Sequence, residues 1–215
     1  YPEANTPGIF TPTQECATPL TPTGGFIDLT YPAAPLPASS EGLANVHPNY
    51  FTMADGKAVT LADDSPWTIE WKGTTSANSV LLAQNSAGDS GTEKEGPYIY
   101  IFNDAGTEFG NRIALRTGDL SAAATFTIPD GLREDPDITW YLVHDGQGNL
   151  TLGWKGSDGL YYTSTQQGVI DQDFVFDGVL GCFTPGSLNL SYTGTIQYLE
   201  ISMEAKKLTN AEGTL

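Results

Sequence analysis

The chain has 215 residues, and its 26 acidic residues against 9 basic ones give a net charge of −17. At that charge phosphate repulsion sets it against nucleic acid and anionic membrane surfaces, and no run approaches the ~20 apolar residues of a membrane span. With 39% hydrophobic residues, 24 glycines and 14 prolines, it favours strands and turns over helices and suits one all-β domain with an extension.

Residues 1–44 form the first unit. Pro2, Pro7, Pro12, Pro19, Pro22, Pro32, Pro35 and Pro37 are interleaved with threonines, and no Lys or Arg precedes Lys57. Proline fixes φ and cannot donate to a ladder, so this stretch is predicted to be an extended arm that packs on its own domain or docks on another protein subunit. Phe10, Phe26, Ile27, Leu29 and Tyr31 could anchor it. Cys16 lies in the arm and Cys182 in the body, with no CxxC motif. A disulfide between them and two buried thiols are both open.

Residues 45–215 form the second unit and read as strand after strand. Trp67, Ile69 and Trp71 alternate with Thr68, Glu70 and Lys72, which places one face inward. Val80–Asn85, Tyr98–Asn103, Arg112–Arg116 and Ala123–Ile128 are short β-rich runs bounded by turn formers. Ile138–His144 and Leu150–Trp154 flank Asp145-Gly146-Gln147-Gly148-Asn149, a hairpin turn with glycines for positive φ. Leu199, Ile201 and Met203 alternate with polar residues in a final strand, and Leu208–Gly213 could form a short turn of helix. Trp67, Trp71, Trp140 and Trp154 fall in phase with apolar neighbours and are expected in the core.

The hairpin Trp140–Leu152 resembles the central hairpin of laminin G-like, concanavalin A-like jelly rolls. Tyr192–Ile201 followed by Lys207-Leu208-Thr209-Asn210-Ala211-Glu212 is similar to the family's closing strand and tail, and Trp67–Trp71 with Val80–Ala83 to its first core strands. The resemblance covers roughly residues 45–213. It implies an antiparallel β-sandwich of the concanavalin A-like jelly-roll type, behind the Pro/Thr-rich arm. The superfamily holds lectins and glucanases, so the fold alone leaves the activity open.

The glucanase branch needs carboxylates at alternate positions of one strand facing a cleft. The alternate pairs present, Glu93/Glu95, Asp135/Asp137 and Asp171/Asp173, sit in polar or Gly- and Pro-flanked stretches, which reads as solvated loop. His47 and His144 belong to no triad pattern. No catalytic residue is assigned, and no zinc spacing or phosphate loop occurs. Calcium is the metal that loop acids could hold, with Asp89, Asp104, Asp119, Asp171, Asp173 and Asp177 as candidates, though no metal site is assigned. Sugar binding calls for exposed rings beside planar polar groups. Tyr161 and Tyr162 are one candidate pair and Tyr98 and Tyr100 the other, although the latter, with Phe102, read more readily as packing the second face of a buried strand. Asn149-Leu150-Thr151 and Asn189-Leu190-Ser191 match the glycosylation triplet.

These features predict a non-catalytic, lectin-like recognition domain that binds glycan or surface polysaccharide. It would be extracellular or on a virion surface, without membrane insertion. The alternative is a structural or decoration subunit of a particle, attached to other protein subunits through the arm.

Overall fold

The computed structural model describes residues 10–12, 27–28, 51–53, 59–75, 78–83, 97–102, 106, 110–118, 121–176, 179–180 and 194–210. Apart from one 3₁₀ turn at Leu132–Glu134, its regular elements are strands. In chain order these are β1 Phe10–Pro12, β2 Ile27–Asp28, β3 Phe51–Met53, β4 Val59–Leu61, β5 Pro66–Thr75, β6 Ser79–Ala83, β7 Tyr98–Phe102 and β8 Arg112–Gly118. There follow β9 Ser121–Thr127, β10 Thr139–Asp145, β11 Leu150–Lys155, β12 Tyr161–Gln166, β13 Phe174–Phe176, β14 Val179–Leu180 and β15 Gly194–Ser202.

Two antiparallel sheets form the sandwich, so the fold class expected from the sequence is the one observed. One sheet has the order β1-β3-β14-β6-β7-β8-β9 and the other β12-β11-β10-β5-β15-β2; β4 and β13 pair separately. Within residues 1–44, β1 pairs with β3 and β2 with β15. The rest of that segment lies outside the described residues, as do Cys16, Cys182, His47, Asn189, Asp89, Asp104, Asp119 and Asp177.

Period-two alternation builds the core. From the six-stranded sheet come Trp67, Ile69 and Trp71 of β5, Trp140 and Leu142 of β10, Leu150 and Leu152 of β11, and Leu199 and Ile201 of β15. They meet Ile99 and Ile101 of β7, Ile113 and Leu115 of β8, and Phe126 of β9. Removing this apolar area from water is the main stabilising term.

The β10–β11 turn is held from both sides. Gly146 and Gly148 have φ of 78° and 86°, the left-handed backbone expected of them. His144 is fully buried. Its Nε2 accepts the Gly148 N–H at 3.1 Å, which leaves the proton on Nδ1 to be donated to the Ser65 carbonyl at 3.0 Å. A neutral histidine thus ties this turn to the loop before β5.

The tail departs from expectation. Leu208–Asn210 is not helical. Residues 203–210 instead cross the outer face of the six-stranded sheet as a strap. The Thr68 hydroxyl donates to the Glu204 carbonyl at 2.7 Å and accepts from the Lys206 N–H at 3.0 Å. Leu208 fills the space that a Cβ on Gly153 would need. The Asn210 carboxamide then pairs with both the N–H and the carbonyl of Tyr161, at 2.6 and 3.1 Å. Helical geometry would forfeit these contacts with the sheet.

Candidate functional site

Cross-strand register lines up four aromatic residues. Trp71 on β5 pairs with Trp140 on β10, Trp140 with Trp154 on β11, and Trp154 with Tyr162 on β12. Successive ring centroids are 6.1, 6.0 and 5.6 Å apart, and the first and last pairs lie within 14° of parallel. Such contacts add to simple area burial. The row runs from the core to solvent: Trp71 and Trp140 are buried, Trp154 is half-buried, and Tyr162 is 42% exposed. Trp154 therefore sits less deeply than the other three tryptophans, because only the edge strand β12 lies beyond it. Among the described residues Tyr162 and Met203 are the exposed large hydrophobic side chains.

The turn between β11 and β12 fixes the outermost ring. The Tyr162 hydroxyl donates to Asp158 at 2.6 Å, and the Leu160 N–H donates to the other oxygen of that carboxylate at 2.9 Å. These bonds, the tyrosine's first, hold the Asp158 carboxyl below its ordinary value; the same bond raises the Tyr162 phenol. The site thus offers an apolar ring, stacked on an indole, with an ionised carboxylate beside it.

The other candidate tyrosines lie elsewhere. Tyr161 follows the opposite face of β12, where its ring meets Tyr141 at 5.7 Å and the Lys155 ammonium at 5.6 Å. Tyr98 and Tyr100 belong to the other sheet and are 1% and 7% exposed, in a cluster with Val80, Ala83 and Phe102. Burial raises the Tyr98 phenol. The structure therefore separates the two tyrosine pairs, and it turns Tyr161 and Tyr162 to opposite faces of one strand.

On the outer face of the six-stranded sheet, beneath the strap, Glu70 and Glu200 stand directly opposite each other on β5 and β15. Inspection of single strands misses this pair because it arises only from strand pairing. Glu70 is engaged: it accepts the Tyr198 hydroxyl at 2.7 Å and forms an ion pair with Lys206, whose ammonium lies 4.9 Å from the Tyr141 ring centre. Burial first, and Glu70 second, push both phenols up: Glu70 acts by its charge on Tyr141 and by its hydrogen bond on Tyr198. The cluster clamps the strap to the sheet.

Asp135 and Asp137 occupy the loop before β10, where the Asp135 carboxylate accepts the Asp137 N–H. Asp171 is exposed, and Asp173 accepts the Asp63 N–H at 3.0 Å. Among the described residues no group of three His, Cys, Asp or Glu side chains could hold a metal ion, and no helix is long and apolar enough to cross a membrane.

No protein-family model and no curated protein matches the chain. Solved structures similar to it include a heptameric SAP-like pentraxin from Limulus polyphemus, 13% identical over 69% of each chain with a TM-score of 0.49. The sialidase CBM40 of Ruminococcus gnavus bound to α2,6-sialyllactose is 20% identical over 68% of this chain and 79% of that one, with a TM-score of 0.46. A Bauhinia forficata lectin in complex with GalNAc is 13% identical over 74% of this chain and 81% of that one, also with a TM-score of 0.46. An alginate lyase from Pseudomonas aeruginosa is similar at a TM-score of 0.39. These likenesses are of architecture and assign no activity.

Proposed function

We propose that this domain binds glycans without cleaving them, and that Tyr162 is its stacking platform. One observation carries the reading: the exposed ring of Tyr162 ends a row of aromatic residues that continues into the core. A sugar's apolar face needs a flat ring, and its hydroxyls need planar polar groups beside that ring. Stacking on Trp154 and the bond to Asp158 order the ring in advance, so little side-chain entropy remains to be lost on binding. Asp158 keeps acceptor capacity for a sugar hydroxyl. It is the only carboxylate hydrogen-bonded to Tyr162 among the described contacts, and a glycosidase would need a second one flanking the bond to be cut. Display on a cell or particle surface, with attachment through residues 1–44, belongs to the same proposal and rests on the composition of that segment.

A glycan array probed with the intact chain, with calcium and again with chelator, tests the reading. Selective binding is expected, at least 10-fold weaker in Tyr162→Ala with an unchanged thermal melt. Undiminished binding in that variant, or no binding to any glycan, would sink it.

A further inference from the structure

The Tyr162 platform continues along its strand. Among the described strands, β12 stands at one edge of its sheet and β9 at one edge of the other. Alternation puts Tyr162, Ser164 and Gln166 on one face of β12, in register with Trp154, Leu152 and Leu150. Leu152 and Leu150 are fully buried, whereas Tyr162 and Ser164 are exposed. The edge strand therefore overhangs the sandwich as an open shelf. It closes at Gln166, whose side-chain amide donates to the Thr125 carbonyl of β9 at 2.5 Å and joins the two sheets.

The shelf is uncharged in a chain of net charge −17. No charged residue occurs between Asp158 and Asp171, and none in Ser121–Thr127 of the facing edge. Edge strands are ordinarily guarded by charge or proline, and these two are not. Four residue steps from Tyr162 to Gln166 span about 13 Å, room for about two or three sugar rings end to end.

We propose that this shelf, from Tyr162 past Ser164 to Gln166, takes a short neutral oligosaccharide; the inference rests on the reading of Tyr162 as a glycan platform. Hydroxyl and amide side chains in a row suit a chain of sugar hydroxyls. Asp158 at one end, within a strongly anionic molecule, rejects sialylated and uronate-bearing chains by like-charge repulsion. The same repulsion opposes a second copy of the chain as the occupant.

Calorimetric titration with mono- to hexasaccharides of β-1,4-glucose, α-1,4-glucose and β-1,4-mannose, beside oligouronates and sialyllactose, is the test. The affinity for a neutral series should rise at least 10-fold from one to three units and then level off. Ser164→Lys should weaken the trisaccharide at least 10-fold, well beyond its effect on the monosaccharide. Thr163→Lys, with the same added charge on the opposite face, should alter neither, and melting curves confirm that both variants fold. Affinity independent of length, tighter binding of the acidic sugars, or equal effects of the two lysines would overturn the inference while leaving Tyr162 as a platform. If no sugar binds, the platform reading fails and this one with it. A concentration-dependent dimer abolished by Ser164→Lys would give the shelf to self-association instead.

Discussion

Strand β11 begins at one aspartate-centred turn and ends at another. In the first, Asp145 accepts the N–H groups of Gln147 and Asn149 and the Asn149 side chain, at 2.7, 3.1 and 2.6 Å. Asn149 in turn accepts the Gly168 N–H, and the Gly148 carbonyl accepts those of Val169 and Ile170. Every partner belongs to the protein, and buried His144 lies underneath. In the second turn, Asp158 accepts one backbone N–H and an exposed tyrosine hydroxyl. The same side chain in the same kind of turn closes the domain at one end and presents a ring to solvent at the other. What differs is the material around the carboxylate: at the first turn, the 168–170 loop and the Ser65 carbonyl bond to the turn and to His144 beneath it; at the second, β12 is the last described strand of its sheet.

The comparison would break if the two turns responded alike to substitution. The largest effect is expected from His144→Ala, which orphans the Gly148 N–H and the Ser65 carbonyl and leaves a cavity, for a loss of about 3 kcal/mol in urea denaturation. Asp145→Ala should cost less, about 1 kcal/mol, because its carboxylate is solvent-exposed. That contribution also has a defined pH dependence. Burial draws the Asp145 carboxyl upward, but the hydrogen bonds from Asn149 and Gln147 hold it below its ordinary value. The associated stability is present above the unfolded pKa of about 3.9 and is lost as pH falls through the lower folded value. Asp145→Asn should therefore flatten the acid limb of a melting-temperature profile below about pH 4. The smallest effect on folding is expected from Asp158→Ala: no measurable change in melting temperature, but weaker glycan binding as Tyr162 loses its anchor. A melting-temperature drop matching that of Asp145→Ala would show that both turns are structural.

Much of the sandwich is legible locally. The alternation in Trp67–Trp71 puts three apolar side chains on one face, and the two glycines of the 145–149 turn announce its left-handed backbone. The strand Tyr161–Gln166 carries little local signal, because four of its six residues are exposed and no apolar alternation marks it. The ring pairs were legible as tyrosines, not as a site. Tyr98 and Tyr100 repeat every second residue, as a surface row would, yet they are buried. Glu70 and Glu200 lie far apart in the chain and meet only across a ladder.

The amino-acid sequence by itself determined the fold class, because period-two patterning and turn chemistry are properties of a few neighbouring residues. Tertiary structure alone decided which aromatic side chain meets solvent. Trp140 and Trp154 look alike in the chain, each in phase within an apolar strand. One has neighbouring strands on both sides and the other stands next to an edge. Exposure follows position in the sheet, and that position is set by pairings between distant segments that no local pattern encodes.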